Sequence, residues 1–103
     1  LTDEVRKLID LAEQAVESLH ILSFDYEDQH GAKTHRRAHP LGLWFWGKVW
    51  TLVAWCETRD DFRMFRLDRA TGMAITGDRF IPVAARSLTE CLRLHGAEYG
   101  SQD

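Results

Sequence analysis

The sequence predicts a mainly β domain, a small and strongly bent antiparallel sheet or barrel with a helix at each end. Three features of the chain carry that prediction. The apolar spacing changes from helical to alternating around Ser18–His20. Beyond that point, four or five short alternating segments follow one another through tight turns, with no crossover helix between them. Near the end, Ser87-Leu88-Thr89-Glu90 has the form of a capping box, which opens a helix.

The first helix is expected over about residues 2–18. Thr2 is placed to cap it, and Asp3 and Glu4 lie in the first turn, where the helix dipole favours anions. Val5, Leu8, Ile9, Ala12, Ala15, Val16 and Leu19 recur at helical spacing and form its apolar face. Leu22, Phe24 and Tyr26 then alternate with Ile21, Ser23 and Asp25 as a first strand, closed by the polar turn Glu27–Gly31. A second strand runs from about Lys33 to Trp46, with Pro40 marking an edge, bend or bulge because it has no N–H to donate. Gly47-Lys48 is a hairpin turn into a third strand, Lys48 to Glu57. Both faces of that strand are largely apolar, Val49, Thr51, Val53 and Trp55 against Trp50, Leu52, Ala54 and Cys56, so it is expected to be central and covered twice. Phe62–Arg69 reads as a fourth strand and Ala70–Thr76 as a fifth, interrupted at Gly72. Leu88, Cys91, Leu92 and Leu94 give the last helix, about 88–95, its apolar positions, and Gly96 is placed to end it. One domain over 1–96, with its barrel at about 19–80, and a loose tail at 97–103 complete the organisation.

At 103 residues the chain has room for one small core. It has no apolar run long enough to span a bilayer and no secretory leader, and it begins at Leu1, as an excised fragment does. Cys56 and Cys91 lack metal-type spacing and read as reduced, buried small hydrophobes, which places the protein in the cytoplasm. The net charge of −3 is unevenly spread. Residues 1–30 set two basic side chains against eight carboxylates, whereas residues 33–69 set eight against four. A basic middle attracts anions even in an acidic domain.

Four blocks in order make the sequence resemble the WYL domain family. They are Ala15-Val16 with Leu22, Phe24 and Tyr26; Thr34 through Leu43, with Thr34, Arg36 and Pro40 in register; Gly47 through Trp55, where Trp50, Thr51 and Leu52 occupy the name-giving positions; and Arg59 through Arg69. The resemblance covers roughly residues 15–80. Thr51 departs from the family's Tyr, which leaves the strand intact and removes any ring contact with a ligand. The resemblance implies a five-stranded, Sm-like (SH3-type) barrel with an N-terminal helix. It further implies an effector-sensing domain of a bacterial transcription regulator, following a winged helix-turn-helix that this chain lacks. The implied effector is single-stranded nucleic acid or a nucleotide, and the class is not catalytic.

Against that background Arg36, Arg63, Arg66 and Arg69 are candidate phosphate ligands, because a guanidinium donates two parallel hydrogen bonds to a phosphate. By the period of two, Arg63 and Arg69 share a face with Phe65 and Leu67, and Arg66 lies opposite. The competing reading of the same residues is a set of ion pairs, Arg66 or Arg69 with Asp68 or Asp61. Thr51 belongs to the site by resemblance. Tyr26, Trp44 and Trp46 are candidates for stacking on bases, with core packing as the alternative, and Trp50 and Trp55 read as core. His35, Arg37 and His39 alternate onto one strand face and read as a solvated basic surface rather than a metal site. No nucleophile motif, phosphate loop or cofactor fingerprint is present, so neither an enzyme nor a bound cofactor is expected. A second reading makes the chain a pure assembly module, dimerising through Leu43–Trp46 with structural arginines.

Overall fold

The computed structural model describes residues 2–96. Helix α1, Asp3–Ser18, starts where expected, with the Thr2 hydroxyl accepting from the Val5 amide at 3.1 Å. It stops at Leu19, which takes the left-handed conformation (φ 60°) that glycine usually supplies. Strand β1, His20–Glu27, begins at the next residue. Ala12 and Ala15 are fully buried, and their small side chains let α1 settle on the sheet while Val5, Leu8, Ile9 and Leu11 pack around them.

Four further strands follow: β2 Lys33–Trp46, β3 Val49–Cys56, β4 Asp61–Arg66 and β5 Ala70–Arg79. They form one antiparallel sheet in the order β4-β3-β2-β1-β5, so β3 has neighbours on both sides, as its apolar faces require. The long β2 serves two partners. Residues 33–38 pair with β1, residues 38–46 pair with β3, and the register slips between Pro40 and Gly42. The proline therefore marks the bend. Gly47 and Lys48 both have positive φ, 57° and 68°, the pattern of a type I′ hairpin turn.

The fourth strand is shorter than the sequence indicates. It ends at Arg66, and Leu67–Arg69 forms a single 3-10 turn rather than more strand. The fifth is longer, reaching Arg79, with its register shifted beside Gly72 (φ 62°). That turn closes the barrel. β4 and β5 are opposite edges of the sheet, yet three residues join them, a reach of about 10–14 Å. The edges must therefore curl together. Inside the seam, the Phe65 ring meets Phe24 and Tyr26 edge-on at centroid distances of 5.0 Å each. The Arg66 amide donates to the Tyr26 hydroxyl at 3.0 Å, tying β4 to β1 without a ladder.

A second apolar cluster covers the outer face of β3 and β4. Val53, Phe62, Met64 and Cys91 are buried there, with Leu41, Trp44, Trp55 and Leu88 against them. Its cover is α2, Leu88–His95, capped by the Ser87 hydroxyl accepting from the Glu90 amide at 3.1 Å. The reciprocal half of the capping box is absent, since the Glu90 carboxylate pairs with Arg93 and the Ser87 amide bonds to Ala84 at the end of a 3-10 turn over Ala84–Arg86. Gly96 ends the helix in a right-handed conformation. Trp50 and Trp55 are half-buried, on the barrel core and the α2 cluster respectively. Cys56 and Cys91 are buried free thiols in separate clusters. The tail expected at 97–103 lies outside the described residues. Among the described residues no helix is long and apolar enough to cross a membrane.

Candidate anion-binding site

Arg36 sits on β2 opposite Phe24 of β1, at the end of the barrel away from the β2–β3 hairpin. Its flank of the sheet is apolar, and the side chain is drawn inside, leaving the residue only 2% exposed. Nε donates to the Thr34 hydroxyl at 2.8 Å, and Nη1 points at Cys56 Sγ at 3.6 Å. The guanidinium carbon lies 5.5 Å from the centroid of the Phe65 ring. None of the ion pairs among the described residues includes Arg36. A hydroxyl, a thiol and a ring face solvate a cation poorly. A buried guanidinium without a counter-ion is costly, and an anion that reaches it removes that cost. Its field reaches Asp28, whose carboxyl is held below the ordinary range first by the His30 and Ala32 amides and to a lesser degree by Arg36.

The other arginines singled out from sequence are held differently. Arg63 Nη1 donates to Asp61 Oδ2 at 3.2 Å and to the Phe62 carbonyl at 2.8 Å. Arg66 grips Asp68 with two hydrogen bonds, 3.0 and 2.7 Å, which raise the Arg66 pKa and lower that of Asp68. Arg69 is half-buried, is not free, and adds its charge to those lowering Asp68. Arg63 pairs with Ala54, and Phe65 with Leu52, so these share the barrel side, while Arg66 stands across from Thr51 on the other side. Extending that alternation to Arg69 fails because the 3-10 turn at Leu67–Arg69 breaks the period of two. Thr51 is buried, at 2% exposure, on the side of β3 that carries Val53.

The surface of His35, Arg37 and His39 is not the open basic face that alternation implies. His35 Nδ1 lies 2.8 Å from Asp25, its direct cross-strand partner. Arg37 bonds Glu57 at 3.0 Å and Asp78 at 3.1 Å, and His39 lies 2.7 Å from Glu57 and stacks on Phe80 at 4.7 Å. The acidic partners come from β1, β5 and the end of β3, which only the pairing of strands brings near. These contacts hold the Glu57 carboxyl below its ordinary value, His39 contributing most and Arg37 next. Among the described residues no three His, Cys, Asp or Glu side chains converge on a possible metal.

Of the aromatic candidates, Tyr26 is fully buried and Trp44 packs in the α2 cluster. Trp46 and its neighbour Phe45 are 52% and 59% exposed at the hairpin tip. Phe45, Val49 and Trp50 line a groove of about 480 Å³ with Thr2 and Val5 of the α1 end. Trp46 is ten residues from Arg36 along β2, with the bend at Pro40 between them; Trp46 pairs with Val49 beside the hairpin, and Arg36 pairs with Phe24 of β1. Sequence reasoning did not single out Cys56, the neighbour of Arg36, as part of a site; a buried cysteine carries no signal of what it touches.

The chain is thus a small antiparallel barrel with α1 packed on its sheet, α2 over the outer face of β3 and β4, and a deeply buried arginine on β2. The family model described as "WYL domain" matches residues 7–75, and the chain belongs to that family. It is similar to an uncharacterized HTH-type transcriptional regulator, YobV, of Bacillus subtilis (strain 168), at 32% identity over 80 residues. That match takes in 78% of this chain and 26% of the relative, so the chain spans about a quarter of the regulator's length. Among solved structures it resembles proteasome accessory factor B/C (PafBC) of Arthrobacter aurescens, with a TM-score of 0.72 and 26% identity. The superposition covers 82% of this chain and 13% of that one.

Proposed function

We propose that the chain is the effector-sensing domain of a cytoplasmic transcription regulator, and that the effector carries phosphate, as a nucleotide or single-stranded nucleic acid does. The single observation carrying this reading is Arg36, a guanidinium 2% exposed with no carboxylate in ion-pair range. Membership of the WYL family and likeness to an HTH-type regulator supply the regulatory context, with the DNA-binding part outside the matched quarter of that relative. An effector that engages Arg36 binds one arrangement of the barrel better than another and so shifts the regulator between states. The test is fluorescence anisotropy of short labelled single-stranded DNA, with competition by thymidine monophosphate, for wild type and Arg36→Met. Binding that the variant loses supports the reading. Equal binding by the variant, or none by a folded wild type, overturns it.

A second reading, an assembly module with no ligand, draws on the exposed Phe45 and Trp46 at the hairpin tip. On that reading Trp46→Ser lowers the mass seen by light scattering, and Arg36→Met costs no ligand affinity.

A further inference from the structure

After β5 the chain runs through residues 80–83 in neither helix nor strand. This strap is pinned at both ends. The Phe80 amide donates to the Leu19 carbonyl at 2.9 Å, and the Arg86 amide donates to the Val83 carbonyl at 3.0 Å. A cleft of about 170 Å³ lies between the strap, the end of α1, the bend of β2 and the start of α2. Both prolines of the chain, Pro40 and Pro82, stand in its walls. Their locked φ angles stiffen the walls, so a ligand has less to order on entry. Apart from His39, Arg86 and Ser87, every residue lining the cleft is apolar. Ile81, Val83 and Leu19 line it and yet are exposed, so apolar surface faces water there that a ligand would cover.

The three polar side chains differ in what they have left to give. The Ser87 hydroxyl donates to the Ala84 carbonyl and accepts from the Glu90 amide. His39 Nε2 is engaged by Glu57, and its ring stacks on Phe80. Arg86 is held more loosely. Its ion-pair partner Asp60 stands at 3.9 Å, beyond hydrogen-bonding distance, on an exposed side chain. The Arg86 guanidinium carbon lies over the Trp55 ring, 4.5 Å from the centroid. A ring against its face leaves the edge of a guanidinium open for two parallel hydrogen bonds. A carboxylate fills that edge with its two oxygens. A neutral polar ligand finds no comparable donor in the cleft.

We propose that this cleft binds a small carboxylic acid with an apolar body, its carboxylate on Arg86 and its body against Leu41, Phe80 and Leu88. Size sets the length of that body. An engineered apolar cavity of about 150 Å³ holds benzene, so a cleft of this volume takes a ring or chain of about six carbons. The inference goes beyond the phosphate-sensing reading and does not rest on it, because Arg36 is not among the residues lining the cleft.

The experiment is an amide NMR titration of the 103-residue chain with benzoate, hexanoate, their uncharged amides, and acetate. Benzoate or hexanoate should saturate, with shifts centred on Leu41, Phe80, Val83 and Leu88. The amides keep the body and lack the charge, and acetate keeps the charge and lacks the body. Each should bind at least about tenfold more weakly than the matching acid. Arg86→Gln should lower the affinity for the acid to that for its amide, and Val83→Trp, which fills the cleft, should abolish binding. Both variants change exposed side chains, so the fold is kept. Acids that bind no tighter than acetate or their amides overturn the inference. So do shifts centred elsewhere, or undiminished binding by either variant. None of these failures touches the Arg36 reading, which has its own probes.

Discussion

The barrel seam yields a sharp prediction through Tyr26→Phe. The substitution keeps the ring, fully buried and packed edge-on against Phe24 and Phe65 at centroid distances of 6.3 and 5.0 Å, and removes only the oxygen that accepts from the Arg66 amide at 3.0 Å. Arg66 pairs with Thr51 on one side of β4, so its amide faces the seam and has no ladder partner there. Without the hydroxyl, a partly buried N–H loses its acceptor at a cost of about 1–3 kcal/mol. For a domain of this size that corresponds to a fall in Tm of roughly 4–12 °C. Thermal melts followed by tryptophan fluorescence measure the fall, and amide exchange at Arg66 should speed up in parallel. A Tm within about 2 °C of wild type, with Arg66 exchange unchanged, would refute the idea that this bond closes the barrel.

Other outcomes follow from the same contacts. Arg36→Met replaces a buried cation with an apolar chain of similar length; stability should change by less than about 2 kcal/mol in chemical denaturation, since loss of the ring and Thr34 contacts is offset by the charge no longer buried. A collapse of the fold would show that Arg36 is a structural keystone. Lys48→Gly relieves a left-handed lysine (φ 68°) in the type I′ turn and should stabilise by about 1 kcal/mol in the same assay. Ser87→Ala removes the α2 cap at a cost of about 1 kcal/mol and should hasten labelling of the buried Cys91 by a thiol reagent, with Cys56 unaffected. The Glu57 and Asp68 carboxyls are held below their ordinary values, so each favours the fold when ionised. Their contribution is complete above the unfolded-state range near pH 4 and is lost as pH falls through the depressed folded values. Glu57→Gln should therefore flatten the acid limb of a stability–pH curve.

The helices and the strand order in sequence were legible because each rests on a local signal. Thr2 and Ser87 cap, Gly47-Lys48 turns, Pro40 bends, and β3 is apolar on both faces. The 3-10 turn at Leu67–Arg69 was hidden because its sequence continues the alternation of β4. It is imposed by the need to carry the chain from one edge of the sheet to the other. The same limit applied to the site. The chain marks Arg36, Arg63, Arg66 and Arg69 alike, and the two short-range carboxylates, Asp61 and Asp68, were visible as possible partners. What separates Arg36 is its depth and the partners it lacks, which depend on Phe65 and Cys56 arriving from other strands. Glu57 and Asp78 likewise reach Arg37 only through the sheet.

The most direct test of the account is the Arg36 Nε–H signal in a nitrogen-resolved NMR spectrum of the wild-type chain as thymidine monophosphate is added. If an effector phosphate engages Arg36, this signal, already fixed by Thr34, shifts and becomes slower to exchange, along with the amides of β1 and β2 around it. A signal that stays in place while ligand saturates resonances elsewhere, or a spectrum that nothing perturbs, would contradict it.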